Sequence, residues 1–164
     1  MLFRSTRTIV LDTTAPTIAW ECSTTSASSG FGACTAPPDW YAVTVWVRAT
    51  VTDANTGLGT GTATGASATD LLPGGTCATV SAGMTACSFT WSRSTDTTAG
   101  GVAYSLRAID RLGNVATASQ SVSRDATGPV GSLSIPGGGF SAATAITLGI
   151  GGVDAGAGLD RKST

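Results

Sequence analysis

The sequence predicts an all-β chain, and two patterns and one compositional feature lead to this prediction. Residues 39–53 (DWYAVTVWVRATVTD) alternate apolar and polar side chains with the two-residue period of a strand. Residues 102–125 hold two more alternating runs around a turn at 110–114, the pattern of a β-hairpin. The helix formers Glu and Lys occur once each, as Glu21 and Lys162, so long helices are not expected.

The individual strands can be placed in chain order. A first strand is expected at 18–21, directly after Pro16, whose ring restricts the preceding residue to extended backbone. In the run 39–53 one face is expected to be core and the other, which carries Trp46, to be partly exposed. The predicted core face consists of Val43, Val45, Val47, Ala49 and Val51. A thin, Gly-interrupted edge strand is expected within 53–65, and a strand at 88–92 carries Phe89 and Trp91 on one face.

Internal repetition sets the domain organisation. The segment 12–16 (DTTAP) is echoed by 125–129 (DATGP), and the run 43–59 matches 145–160 in its order of strand, Asp, small-residue turn and Gly-Leu. Repetition of this kind is typical of a tandem array. We therefore expect residues 1–12 to end a preceding module or form a tail, 13–125 to form one β-sandwich, 126–129 to be a linker, and 130–164 to be an incomplete second copy.

Four stretches resemble bacterial immunoglobulin-like tandem repeats of large secreted or cell-surface proteins. They are TIVLDTTAPT (8–17), VTDANTGLG (51–59), YSLRAIDRLGNVATASQSVSRD (104–125) and GVDAGAGLD (152–160). The resemblance implies an immunoglobulin-like β-sandwich of about seven strands that serves as stalk, spacer or adhesion module. The cysteine-bearing loops depart from the plain repeat.

Composition limits the partners. Charged residues make up 12% of the chain and the net charge is −1, which argues against nucleic acid or an anionic membrane as a partner. No apolar run is long enough to span a bilayer. The expected partners are neighbouring repeats of the same chain, and cell-surface or glycan ligands, in an extracellular or cell-surface location.

The four cysteines predict disulfides. Structural zinc normally uses cysteines two to four residues apart, often with His, and this chain has no His. Three pairings of Cys22, Cys34, Cys77 and Cys87 are open, of which Cys22–Cys34 and Cys77–Cys87 are preferred because each closes a polar loop. Disulfides agree with a secreted protein.

The residue types argue against catalysis. Without His, the usual triads and general bases are missing. The carboxylates are dispersed through turns, where Asp is favoured for local hydrogen bonds to the backbone. The chain is therefore expected not to be an enzyme and to need no cofactor, with calcium as the one alternative.

Two ligand sites are kept as alternatives. Calcium could be held by side-chain oxygens near the junctions, and the candidates are Asp53, Asn55, Asp110, Asn114 and Asp125. Trp40, beside two prolines, is the candidate for stacking on a carbohydrate. The leading expectation is a non-catalytic spacer or adhesion repeat, and the alternative is an accessory carbohydrate- or calcium-binding module of a secreted enzyme.

Overall fold

The computed structural model describes residues 11–34, 40–65, 70–72, 77, 84–98, 100–135, 148–154 and 156–157. The described residues form eight strands and no α-helix, so the prediction of an all-β chain is confirmed. The strands are β1 (Thr17–Ser23), β2 (Val45–Thr52), β3 (Ala63–Thr64), β4 (Ala86–Arg93), β5 (Val102–Ile109), β6 (Val115–Val122), β7 (Val130–Ser134) and β8 (Gly149–Val153). Residues 1–10 of the expected preceding module or tail, and residues 136–147, 155 and 158–164 of the expected second copy, lie outside these ranges.

The first sheet has the order β1-β2-β4 and is antiparallel throughout. The alternating run of β2 buries Val45, Val47, Ala49 and Val51, as predicted. The prediction for Val43 is wrong, since Val43 is largely exposed. Residues 41–43 do not continue β2; they run beside 123–125, where the amide of Tyr41 donates to the carbonyl of Ser123 at 2.9 Å.

The second sheet has the order β3-β5-β6. Strands β5 and β6 form the predicted hairpin, and Gly113 in its turn adopts φ 94°, a left-handed conformation that Gly reaches without a Cβ clash. The two-residue β3 lies at the sheet edge, as its Gly-rich sequence suggests. At the far edge of β4, Leu71 forms a bridge with Trp91, which adds a short segment to the first sheet.

The core lies between these two sheets, and Trp91 is at its centre. Its ring centroid is 5.4 Å from that of Tyr104 on β5 and 5.6 Å from that of Trp20 on β1. Small side chains fill the remaining space, among them Ala49 and Ala108. We call β1 to β6 the sandwich.

Both preferred disulfides are present in the sandwich, Cys22–Cys34 and Cys77–Cys87. Cys22, Cys77 and Cys87 are buried among the core residues. The bonds therefore attach two polar loops to a core that contains few large side chains.

Strands β7 and β8 form a separate two-stranded antiparallel sheet. Every residue of both strands is exposed, including Leu133 at 66% and Ile150 at 83%. In the part of the chain that the structure describes, no helix is long and apolar enough to cross a membrane.

Candidate metal centre

Three carboxylates meet at one end of the sandwich. Asp12 precedes β1, Asp53 follows β2 directly, and Asp110 follows β5 directly. One oxygen from each lies within 4.8 Å of the other two. The residues are only 6%, 6% and 3% exposed, respectively. Three separate chain segments thus place acidic groups in one shielded position, which we call the Asp cluster.

Two members of the Asp cluster organise the turns in which they lie. Oδ1 of Asp53 accepts hydrogen bonds from the amides of Asn55 at 3.1 Å and Gly57 at 3.0 Å. Oδ1 of Asp110 accepts from the amides of Leu112 and Asn114, each at 2.8 Å. These local bonds are the ones for which Asp is favoured in turns, and they hold both carboxylates still.

Asp12 is held by one local hydrogen bond and by three from residues that are distant in sequence. Its Oδ1 accepts from the Thr14 amide at 2.9 Å and from Asn55 Nδ2 at 3.4 Å, and its Oδ2 accepts from Thr56 Oγ1 at 2.9 Å. Its main-chain carbonyl accepts from Asn114 Nδ2 at 3.0 Å. The segment before β1 is therefore fastened to both turns at this end of the sandwich.

These hydrogen bonds lower the pKa values of Asp12 and Asp110. The amide of Thr14 lowers the pKa of Asp12; burial opposes this, and Thr56 and Asn55 add to the lowering. Burial raises the pKa of Asp110, but the side chain of Asn114 and the amides of the turn outweigh it, so that this pKa is also lowered. Both groups carry a negative charge at neutral pH.

Among the described residues, no Lys or Arg side chain forms an ion pair with the Asp cluster. The ion pairs there are Arg48–Glu21, Arg93–Asp70 and Arg124–Asp96, none of which involves the cluster. Like charges this close repel one another, the more so where water is largely shut out. Oδ2 of Asp53 also accepts no hydrogen bond from any described residue.

Chemically, this arrangement suits a hard divalent cation better than proton transfer. Calcium takes six to eight oxygen ligands, and carboxylates, amide oxygens and main-chain carbonyls are the usual ones. Three carboxylates lie together here. Asn55 and Asn114 lie beside them and donate hydrogen bonds to Asp12 and Asp110 through their amide nitrogens. A general acid would need a carboxyl with a raised pKa, whereas those of Asp12 and Asp110 are lowered.

Four of the five calcium candidates from the sequence lie at this end: Asp53, Asn55, Asp110 and Asn114. Asp125 does not join them. Asp110 and Asp125 flank β6 on opposite sides, and a strand of eight residues is about 26 Å long. Sequence reasoning also missed Asp12, which it treated only as part of a linker. The recurrence of Asp at the start of both linkers was the signal that could have identified it.

Asp125 occupies a similar position at the next junction. Its Oδ1 accepts from the amide of Thr127 at 3.0 Å, and its Oδ2 accepts from the amide of Ala157 at 2.6 Å. Nearby, Oδ1 of Asp154 accepts from the amide of Gly156 at 2.9 Å. Asp12 and Asp53 likewise accept from the amide two residues further along the chain.

The carbohydrate candidate has a different environment. Trp40 is half-buried, and so is its neighbour Tyr41, whose amide is bound to the carbonyl of Ser123. Trp20 and Trp46 are half-buried as well, so Trp40 does not stand apart from them in its burial. Only part of the Trp40 surface is open to a ligand.

Among the described residues, the Asp cluster and the repeated Asp turns are thus the groups that are placed to bind a cation or a neighbouring segment. Comparison with protein-family models, with curated proteins and with solved structures finds no match to this chain.

Proposed function

We propose that the chain is part of a tandem array of immunoglobulin-like modules in a secreted or cell-surface protein, where it acts as a non-catalytic spacer or adhesion scaffold. The strand order supports the fold assignment. With the Leu71 segment at the free edge of β4, one sheet has four members and the other is β3-β5-β6. Constant-type immunoglobulin domains have the same order, ABED in one sheet and CFG in the other. The disulfides differ, because neither joins the two sheets.

The observation that carries the proposal is a repeated strand register. Thr17 follows Pro16 and pairs with Thr52, which directly precedes Asp53. Val130 follows Pro129 and pairs with Val153, which directly precedes Asp154. When the two linkers are aligned, every pair of β7–β8 therefore falls on a pair of β1–β2. A second module that begins in the same way as the first accounts for this agreement.

The location rests on the disulfides. Two disulfides within one sandwich suit an oxidising compartment, since cytosolic thiols are kept reduced. In the part of the chain that the structure describes, three ion pairs occur, and the outward faces of the strands are rich in Thr and Ser. These features support an extracellular module.

Small-angle X-ray scattering tests the spacer proposal. Chains carrying one, two and three head-to-tail copies of residues 13–125, in which Asp125 takes the place of Asp12 at each junction, are expected to increase in maximum dimension by a constant step for each copy. A compact particle whose dimension barely grows with each copy would contradict an extended spacer. Saturable binding on a glycan array that Trp40→Ala abolishes would favour the accessory carbohydrate-binding role instead.

Calcium binding at the Asp cluster is the second candidate function. It is favoured by the three carboxylates, each at least nine-tenths buried, that lie within 4.8 Å without an ion pair to any described Lys or Arg. A cation there would join Asp12, in the linker, to Asp53 and Asp110 in the turns. It would thus strengthen the attachment of the linker to the sandwich.

Thermal unfolding of the full chain tests this candidate. After treatment with EDTA, added CaCl2 is expected to stabilise the fold by about 2.7 kcal/mol at a hundredfold excess over Kd. Asp110→Asn should remove this effect, whereas Asp125→Asn, which makes the same change of charge outside the cluster, should retain it. NaCl at matched ionic strength controls for screening. An equal calcium response in both variants would count against the Asp cluster.

A further inference from the structure

The segment 124–127 connects the sandwich to the β7–β8 sheet, and both sides hold it. It follows β6 without a helix or strand of its own. A short connection of this kind, followed by Gly128 and Pro129, would by itself be expected to leave the two parts some freedom to turn. Its hydrogen bonds indicate a different behaviour.

On the sandwich side, Asp96 holds the segment. This residue lies between β4 and β5. Its Oδ1 accepts hydrogen bonds from the amide of Ala126 at 3.0 Å and from Nη1 of Arg124 at 2.5 Å. Its Oδ2 accepts from the hydroxyl of Thr127. The carbonyl of Arg124 in turn accepts from the amide of Thr97 at 2.8 Å. Asp96 thus engages three residues that surround Asp125.

On the far side, Asp125 holds the loop that follows β8. Its Oδ2 accepts from the amide of Ala157 at 2.6 Å. It also lies so close to Gly156 that a Cβ there would collide with the carboxylate. Only Gly permits this approach, so the contact is specific to the residue at that position.

The contact between the two parts is polar rather than apolar. A cleft of about 440 Å³ separates them, with Thr97 and Thr98 on the sandwich side and Val130 and Val153 on the other. Val130 and Val153 remain 72% and 73% exposed, so they bury little surface against the sandwich. The hydrogen bonds of Asp96 and Asp125 therefore carry most of the attachment.

We propose that residues 124–127 form a fixed joint, in which Asp96 of one module and the loop after the second strand of the next module hold the linker Asp125 from opposite sides. The inference rests on the proposed array and specifies how its modules meet. Neighbouring modules then keep one relative orientation. The surface around Asp96 is an interface whose partner is the linker that leads into the following module, and the Asp154 turn of that module binds the linker from the other side.

The other junction supports the same construction. Asp12 corresponds to Asp125 and is held by Thr56, which occupies the position of Ala157 in the loop after the second strand. Thr13 and Thr14 correspond to Ala126 and Thr127, which are two of the three donors to Asp96. Both threonines are exposed. They are the groups that the Asp96 counterpart of a preceding module would contact.

Residual dipolar couplings of the full chain test the joint. If it is fixed, couplings from β1–β6 and from β7–β8 fit one common alignment tensor. In Asp96→Ala and in Thr127→Val, the couplings from β1–β6 and those from β7–β8 are expected to require two different alignment tensors. The generalised degree of order of the β7–β8 tensor is expected to fall. Glu21→Gln, which removes a carboxylate from the outer face of β1, should leave the common tensor intact. The sandwich couplings show in each variant whether the module is still folded.

Amide exchange adds a measurement for single residues. In Asp96→Ala the amide of Ala126 is expected to exchange roughly tenfold to a hundredfold faster, the factor for losing one hydrogen bond to a charged acceptor. Two different tensors in the unmutated chain would overturn the joint, and so would a common tensor that survives Asp96→Ala. Either result would leave the constant step per copy intact, so it is distinguishable from failure of the proposed array.

Discussion

The pairs β1–β2 and β7–β8 share a register but differ in burial. Leu133 and Ile150 pair at the positions of Trp20 and Ala49. Ala49 is fully buried and Trp20 packs against the core, whereas Ile150 is 83% exposed. The first pair is covered by β4 and by the second sheet, and the described residues include no such cover over the second pair.

This difference separates two physical causes. Pairing and register depend on the linker, on the alternation of the strands and on the Asp turn, all of which are close in sequence. Burial depends on a second layer of side chains that is distant in sequence. The first cause acts in both regions, and the second acts in the sandwich alone. Four predictions, ordered from the largest expected effect to the smallest, test this separation.

Removal of the central core side chain should give the largest effect. Trp91→Ala is expected to lower the free energy of unfolding by about 3–5 kcal/mol, because it leaves a cavity between the two sheets. Ile150→Ala, in an exposed strand, should change it by no more than about 0.5 kcal/mol. Urea unfolding followed by near-ultraviolet circular dichroism measures both. If Ile150→Ala lowered the free energy of unfolding as much as Trp91→Ala does, the side chains of β7–β8 would have to be buried in solution.

The disulfides should come next. Loops closed by bonds between residues 12 and 10 apart stabilise by about 3 kcal/mol each on the chain-entropy estimate. The double variants Cys22→Ala/Cys34→Ala and Cys77→Ala/Cys87→Ala are each expected to lose that amount in thermal unfolding. The residue that corresponds to Cys22 is Ile135, directly after β7, so β7–β8 has no such bond and the chemical shifts of that sheet should not respond. A change there would show that the two regions are coupled.

Tyr104, from the covering sheet, makes the sandwich sensitive to alkali. Burial raises the pKa of Tyr104 from 10.0 to about 12. Arg93 acts to lower this pKa, whereas Asp70, which accepts a hydrogen bond from the Tyr104 hydroxyl, acts to raise it. Because the fold favours the neutral phenol, stability is complete below pH 10 and falls as the pH rises toward 12. The expected loss is about 2 kcal/mol.

Absorbance at 295 nm measures this ionisation. One of the two tyrosines should ionise only near pH 12, and Tyr104→Phe should remove that late phase. The same variant should remove this part of the alkaline loss of stability. Complete ionisation of both tyrosines near pH 10 in the folded chain would refute the prediction.

The smallest effect concerns a charged pair that β7–β8 lacks. Glu21 and Arg48 are cross-strand partners at 2.7 Å, and the corresponding pair is Ser134 and Gly149. Because both side chains are partly exposed, the pair should contribute about 0.2–1 kcal/mol. A double-mutant cycle of Glu21→Gln and Arg48→Gln isolates this term from the contact of Arg48 with the Phe31 ring. A coupling that does not weaken with added salt would contradict the prediction.

Sequence reasoning succeeded where the determining contacts are local. The hairpin β5–β6, the alternation of β2 and the disulfide pairing all follow from short stretches. It failed for Val43, because the pairing of 41–43 with 123–125 interrupts an alternation that continues in the sequence.

The candidate site was only half predictable. Asp53 with Asn55, and Asp110 with Asn114, can be recognised as turn residues from their spacing. That the two turns lie side by side, with Asp12 between them, depends on how the sheets stack. The separation of Asp125 from the others follows from the direction of β6 once the hairpin is known.

The sequence by itself determined the all-β class, the hairpin, the two linkers and the repeated order of strand and Asp turn. These features depend on side-chain alternation and turn chemistry over a few residues. Only the tertiary structure decided that three distant carboxylates share one buried position, and that β1–β2 is covered while β7–β8 is not. Both outcomes depend on which sheet faces which, and that arrangement is set by packing between segments far apart in the chain.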